Sequence, residues 1–286
     1  MNTFYYKVAG HVFSLNTGND SRAEELRQYE PFLTEATDAT AFRLEMVAQL
    51  PMAVCHEELR QEDEGQEIVA GHLDSGEPYF EFWLGDKHCS TLVASTDYRQ
   101  GRILVKENWL FGVNNAIMVM YALATANSRT ALFHSSVVSY RGRAYMFLGH
   151  SGTGKSTHSS LWLKHIEGTE LVNDDNPVVR IEGDEVRCYG SPWSGKTPCY
   201  RNVSYPVGAI VKLSQAPRNE IVRLKGIKAY AAVMPSISGK RWDKHLAEGL
   251  HETENLLAQL VPVWHLDCLP DEAAARLSCN TCADEH

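Results

Sequence analysis

The residues best suited to chemistry lie in one short run, Gly149-His150-Ser151-Gly152-Thr153-Gly154-Lys155-Ser156. Glycines at this spacing let the backbone curl until successive N–H groups face a common anion. A helix opening from the loop would add its free N–H groups and its dipole to the same attraction. Lys155 supplies a point charge for β- and γ-phosphates, and the Ser156 hydroxyl is a hard ligand for Mg²⁺. The run, with Thr157 after it, therefore predicts a site for ATP or another nucleoside phosphate together with Mg²⁺. Its bland alternative is a glycine-rich turn capping a helix, with an incidental lysine.

A second group follows about twenty residues later, in Leu171-Val172-Asn173-Asp174-Asp175. A phosphoryl-transfer site needs an acid in the metal shell and a group that takes the proton of an incoming hydroxyl. Adjacent strand residues point to opposite faces, so Asp174 and Asp175 are expected to divide these tasks, in an order that spacing leaves open. An Asp-Asp-Asn turn is the competing reading.

The elements that must position these groups are legible as periodicity. Leu132 to Tyr140 and Arg143 to Leu148 read as strands around the turn Arg141-Gly142, a β-hairpin running into the loop. Lys155 to Ile166 reads as the helix after it, and Glu170 to Val172 as the returning strand. Val178 to Glu182 and Glu185 to Tyr189 form a second hairpin around Gly183-Asp184. Val207 to Leu213 is a buried strand, Arg241 to Leu260 a helix, Val263 to Leu266 a strand and Pro270 to Leu277 a short helix. Hairpins on both sides of the loop predict a mixed sheet rather than the parallel sheet of common GTPases and motor ATPases.

Residues 1–107 read as β-rich, with short alternating runs at Tyr5 to Leu15, Phe42 to Ala48, Glu67 to His72, Pro78 to Leu84, Ser90 to Ala94 and Ile103 to Lys106. Glu57 to Glu67 is acidic and reads as an exposed loop or hairpin. Asn108 to Asn127 reads as a helix with Trp109, Val113, Ile117, Met120, Leu123 and Ala124 near one stripe. It is placed at the start of a second region, residues 108–286.

The 286 residues carry a formal charge of −9, which opposes nucleic-acid binding and requires a phosphate site to be built locally. No stretch reads as a signal or a membrane span, since the apolar run Ala116 to Ala126 is too short. Seven scattered cysteines suit a reducing compartment, so a cytoplasmic location is expected. Oligomerisation stays open.

The strand Leu132-Phe133-His134-Ser135-Ser136-Val137-Val138, the hairpin, the glycine loop and the Asp174-Asp175 pair together resemble the C-terminal kinase domain of HPr kinase/phosphorylase, whose core is similar to that of phosphoenolpyruvate carboxykinase. The resemblance covers about Ala131 to Leu213, and the ending from Pro262 is similar to HPr-kinase-like bacterial proteins of unassigned substrate. It implies an α/β mixed-sheet P-loop kinase core preceded by a β-rich region. It also implies transfer of the γ-phosphate to a hydroxyl acceptor, a serine of a protein or peptide or a small molecule, with an acid of the pair as base. His134 matches a histidine near the reacting phosphate; by residue type alone it is equally a core histidine. The arginine-rich loop of the phosphorylase activity is absent, and the substrate arginines of a carboxykinase are not found. A silent nucleotide-binding regulator and a small carboxykinase-like enzyme stand as alternatives.

Three further positions are candidates for substrate or phosphate contact. Trp193 in Gly190-Ser191-Pro192-Trp193-Ser194-Gly195-Lys196-Thr197 would cover a base or pack in a turn, Lys196 would neutralise transferred charge, and Arg201 is a weaker choice for that role. Lys240 and Arg241 at a helix start are read as an exposed loop or a phosphate contact. Cys279 and Cys282, with Cys268 and His286, are a weak zinc pattern.

Overall fold

Alternating apolar and polar residues give strands with one buried face, and in this chain they assemble into two separate sheets. The computed structural model describes residues 2–195 and 197–283. It divides into two units, Met1–Thr125 and Ala126–His286.

The first unit is an eight-stranded mixed sheet of β1 (Thr3–Val8), β2 (His11–Asn16), β3 (Phe42–Met46), β4 (Cys55–Asp63), β5 (Gln66–Leu73), β6 (Pro78–Leu84), β7 (Lys87–Ala94) and β8 (Gln100–Val105), in the order β1-β2-β3-β8-β7-β6-β5-β4. The run expected as one strand from Tyr5 to Leu15 is broken by a turn at Ala9-Gly10, both at positive φ, into the β1–β2 hairpin. The acidic stretch is the hairpin of its two alternatives: β4 pairs antiparallel with β5 and is exposed throughout, at the sheet edge. Charges along such an edge oppose further strand pairing.

Helix α1 (Trp109–Thr125) buries Trp109, Val113, Ile117, Met120 and Leu123 in the first unit. A Cβ on Gly112 would lie 2.9 Å from Ser90 Cβ, so glycine is what lets α1 approach β7 this closely. The helix expected to open the second region thus belongs to the first, and the boundary falls after Thr125 rather than at 107. The segment Trp109–Ser128 is long and apolar enough to cross a membrane by length and composition, and most of its apolar window is buried.

Among the described residues the second unit is a nine-stranded mixed sheet with four α-helices. Its strands are β9 (Thr130–Leu132), β10 (Ser135–Tyr140), β11 (Arg143–Leu148), β12 (Glu170–Asp175), β13 (Val178–Glu182), β14 (Glu185–Tyr189), β15 (Ser204–Gln215), β16 (Glu220–Leu224) and β17 (Val263–Cys268). The helices are α2 (Lys155–His165), α3 (Ile227–Val233), α4 (Lys244–Leu260) and α5 (Glu272–Ala283). One path runs β12-β10-β11-β15-β14-β13-β9, and β17 pairs with both β15 and β16.

The expected strand from Leu132 to Tyr140 is two strands. β9 pairs with β13, while β10 pairs with β11 and β12, and the chain changes neighbours at Phe133-His134. β16 and α3 lie in a stretch from which sequence periodicity gave no element. α4 begins at Lys244 rather than Arg241, because Asp243 caps it by accepting from the His245 N–H at 2.9 Å.

Candidate active site at the carboxyl edge of the second sheet

Three strands carry the site to one edge. β11 and β12 flank β10 and are both antiparallel to it, so they run in the same direction and end together. Leu148 and Asp175 both pair with Ser135. His134 directly precedes that residue. The end of β11, the acid pair and His134 therefore sit side by side, on strands ~4.8 Å apart.

The glycine loop leaves β11 and enters α2, as strand, loop and helix. Gly152 and Gly154 hold φ of +77° and +106°, which side chains rarely allow, and Gly154 is the N-cap of α2. No atom lies within 4 Å of a Cβ built on Gly152. Lys155 is buried, and its Nζ donates to the carbonyls of Gly149 at 3.0 Å and His150 at 3.3 Å. The Ser156 and Thr157 side chains are exposed on the first turn. Gln215 at the end of β15 donates from Nε2 to Gly152 O at 3.2 Å.

α2 is locked to the sheet by polar contacts inside an apolar interface. Ser159 Oγ and Ser136 Oγ are 2.6 Å apart. Ser278 of α5 donates to Ala275 O, accepts from Trp162 Nε1 at 2.9 Å and meets His158 Nε2 at 3.0 Å, which uses the full capacity of a hydroxyl. Burial pushes the His158 imidazole down to about 4.

The aspartates separate as alternation requires. Asp174 pairs with Ser136, so its buried side chain shares the α2 face of the sheet. Asp175 lies against His134, with Nε2 3.4 Å from Oδ1, and accepts from Asn176 Nδ2 at 2.7 Å. Burial pushes the Asp175 carboxyl up; His134 and Lys155 pull it down, and Asp174 adds a further upward push. Asp175 also holds φ of +154°, a region costly to any residue but glycine. The loop from Ser191 holds this backbone in place. Gly195 N–H donates to Asp174 O at 2.6 Å, and a Cβ on Gly195 would lie 2.9 Å from that oxygen. Asn173 donates to Ser191 Oγ and Trp193 O, and accepts from the Asn176 N–H.

The other candidates do not join this group. Trp193 is buried, the packed alternative of the two. Arg201 donates to Leu171 O and pairs with Glu170 at 2.7 Å, at the far end of β12, ~10–13 Å along the strand from the acids. Lys196 lies outside the described residues. Lys240 is buried, and Arg241 pairs with buried Glu254 at 2.6 Å, so the exposed-loop reading of this pair is replaced by a structural one. Cys279 and Cys282 are packed in the apolar cluster around Trp162; His286 lies outside the described residues. Among the described residues no group of three or more His, Cys, Asp or Glu could hold a metal ion, and the zinc reading has no ligand set.

Sequence reasoning did not single out Asn176, Gln215 or Ser135. Asn176 is adjacent to the acid pair and was available as a signal. Ser135 Oγ is buried between β11 and β12 with no hydrogen-bond partner among the described residues. Only the pairing of β10 could bring it there.

No protein-family model and no curated protein matches the chain. Among solved structures, it is similar to the HPr(Ser) kinase/phosphatase from Coxiella burnetii, at 12% identity and a TM-score of 0.31, over 54% of this chain and 95% of that one.

Proposed function

We propose that the second unit is a P-loop phosphotransferase that moves the terminal phosphoryl group of ATP, or another polyphosphate donor, to a hydroxyl acceptor. One observation carries this reading: the glycine loop, Lys155, Asp174, Asp175 and His134 share a single sheet edge. A helix-capping turn has no need of two carboxylates beside it.

In this reading the loop amides and the α2 N-terminus cradle the phosphates, and Lys155 exchanges its two carbonyl contacts for phosphate oxygens. Asp175 accepts the proton of the attacking hydroxyl, its carboxyl pushed up from the ordinary value by desolvation and by Asp174. His134 orients that carboxylate. Ser156 and Asp174 offer hard oxygens of the kind Mg²⁺ takes beside water and phosphate ligands. When bound, Mg²⁺ would neutralise charge on the transferring phosphate. The acceptor is a serine-bearing protein or peptide, or a small alcohol, and a cytoplasmic location accords with that chemistry.

The test is incubation of the full chain with γ-labelled ATP and a cell lysate, beside Lys155→Ala and Asp175→Asn. A labelled band or metabolite made by wild type alone is expected. Nucleotide binding without transfer to any acceptor would replace this reading with a silent regulatory protein.

A further inference from the structure

The amino ends of the parallel strands carry a second concavity. β15 runs parallel to β11 and β17 parallel to β15, so β17 starts at the end of the sheet away from the glycine loop. β16 is antiparallel to β17, and Leu224, its last residue, pairs with Val263, the first of β17. The end of β16 is therefore ~17 Å along β17 from the carboxyl edge. A cavity of about 650 Å³ opens there, between residues 223–225, the first turn of α3 and one row of α4. That row is His251, Asn255 and Gln259, spaced four residues apart and so stacked on one helical face. This is the size of a small-molecule site.

One wall rests on a polar network that phosphoryl transfer does not use. Its centre is the buried Glu254 of α4. Arg241 donates to Glu254 Oε1 from Nε at 3.0 Å and from Nη2 at 2.6 Å, and Tyr230 of α3 donates to Oε2 at 2.7 Å. Burial, the bond to Glu254 and its charge push the Tyr230 phenol up to about 12, so the proton stays in that bond. The phenol oxygen lies 2.9 Å from His251 Nδ1 and, with its own proton committed, accepts from that nitrogen. The imidazole is thus held by its Nδ1 edge, and its Nε2 edge is left for the cavity that His251 lines. Glu254 stands behind Tyr230 and is paired with Arg241, so its charge does not oppose an anion in front.

The rest of the lining is cationic and amide. Arg223 and Lys225 line the cavity, and none of its described lining residues is a carboxylate. In a chain of formal charge −9 this is a local reversal of sign. Asn255 and Gln259 add donors and acceptors, and Ile227, 77% exposed, adds apolar surface. We propose that the cavity is a binding site for a small organic anion, a carboxylate or phosphate monoester on a partly apolar body. Arg223 and Lys225 hold the charged group through charge-assisted hydrogen bonds. His251 and the α4 amides take the polar substituents, and Ile227 covers the hydrocarbon. The site is separate from the glycine loop and does not depend on the reading of that loop.

The test follows the δ1-methyl resonance of Ile227 in the full chain, assigned with Ile227→Val. The chain is titrated with glutarate, with glycerol 3-phosphate and, as the uncharged control, with glycerol. Saturable movement of the methyl with one or both anions, and none with glycerol, is expected; the anion that acts distinguishes a carboxylate ligand from a phosphate ester. Lys225→Gln and Arg223→Gln, both at exposed positions, should each weaken binding about tenfold or more, the worth of a hydrogen bond to a charged group. Lys155→Ala should leave the response intact, since a phosphate bound at the loop is not the source. A methyl unmoved by both anions, an equal response to glycerol, a response lost in Lys155→Ala, or undiminished affinity in both glutamine variants overturns the assignment.

Discussion

At the scale of single residues, the acid pair is the informative feature. Two neighbouring aspartates differ because one faces α2 and the other faces His134. Asp175→Asn should keep nucleotide affinity and lower transfer about 10²- to 10⁴-fold, the usual worth of a positioned base, read by single-turnover labelling. The same change has a stability signature. A carboxyl whose folded pKa is raised binds its proton more tightly in the folded chain, so wild type loses stability as pH rises from below about 3.8, the unfolded value, through the folded value. The melting temperature of Asp175→Asn relative to wild type should therefore be higher at pH 7 than at pH 3.5. A difference of the opposite sign in thermal melts would refute the upward shift of this carboxyl. Gly195→Ala tests backbone placement instead. Its Cβ would press on Asp174 O, so transfer should fall with both aspartates intact, while phosphate binding at the loop persists.

Among elements, α2 is the one on which the loop depends. Its interface with α5 and the sheet is apolar around a few buried hydroxyls: Ser159 meets Ser136 on the sheet, and Ser278 of α5 serves both Trp162 and His158. Ser278→Ala leaves the Trp162 indole N–H and the His158 ring without their partner in a dry interior, and should destabilise the second unit by about 1–3 kcal/mol in denaturant titration. His158 sets the acid limit of this interface. Its folded value of about 4 lies below the unfolded 6.5, so the unfolded chain takes up the proton first and stability falls as pH drops through that window. The loss amounts to about 3 kcal/mol once pH is below both values. Stability curves of wild type and His158→Gln measured between pH 7 and 4 should converge as the pH falls.

For the whole molecule, two units with their own cores give two bodies of different sensitivity to ligand. The candidate site lies wholly in Ala126–His286. A ligand at one hundred times its dissociation constant adds about 2.7 kcal/mol to the unit that binds it. Calorimetric scans with ATP and Mg²⁺ should raise the melting of the second unit, and Lys155→Ala should abolish that shift. The first unit offers a sheet with α1 packed on it and an acidic, exposed edge strand.

Much of this was legible in sequence because the signals are local. Glycine spacing, Lys155, the hairpin turn at Arg141-Gly142 and the helix after the loop depend on residues within one or two turns of each other, where backbone sterics decide. Periodicity also placed β11, β13, β14 and the buried stripe of α1. It could not say which body α1 packs against, because a buried stripe does not name its partner, nor that the chain breaks at His134, where β9 and β10 part to pair with different strands. The tasks of Lys240, Arg241, Trp193 and Arg201 were set by neighbours distant in sequence, Glu254 and Glu170 among them. The sequence by itself determined the chemistry present, a loop of amides, one lysine and two carboxylates. Only the tertiary structure decided that these meet at one edge, since strand order and direction are fixed by pairing between segments far apart in the chain.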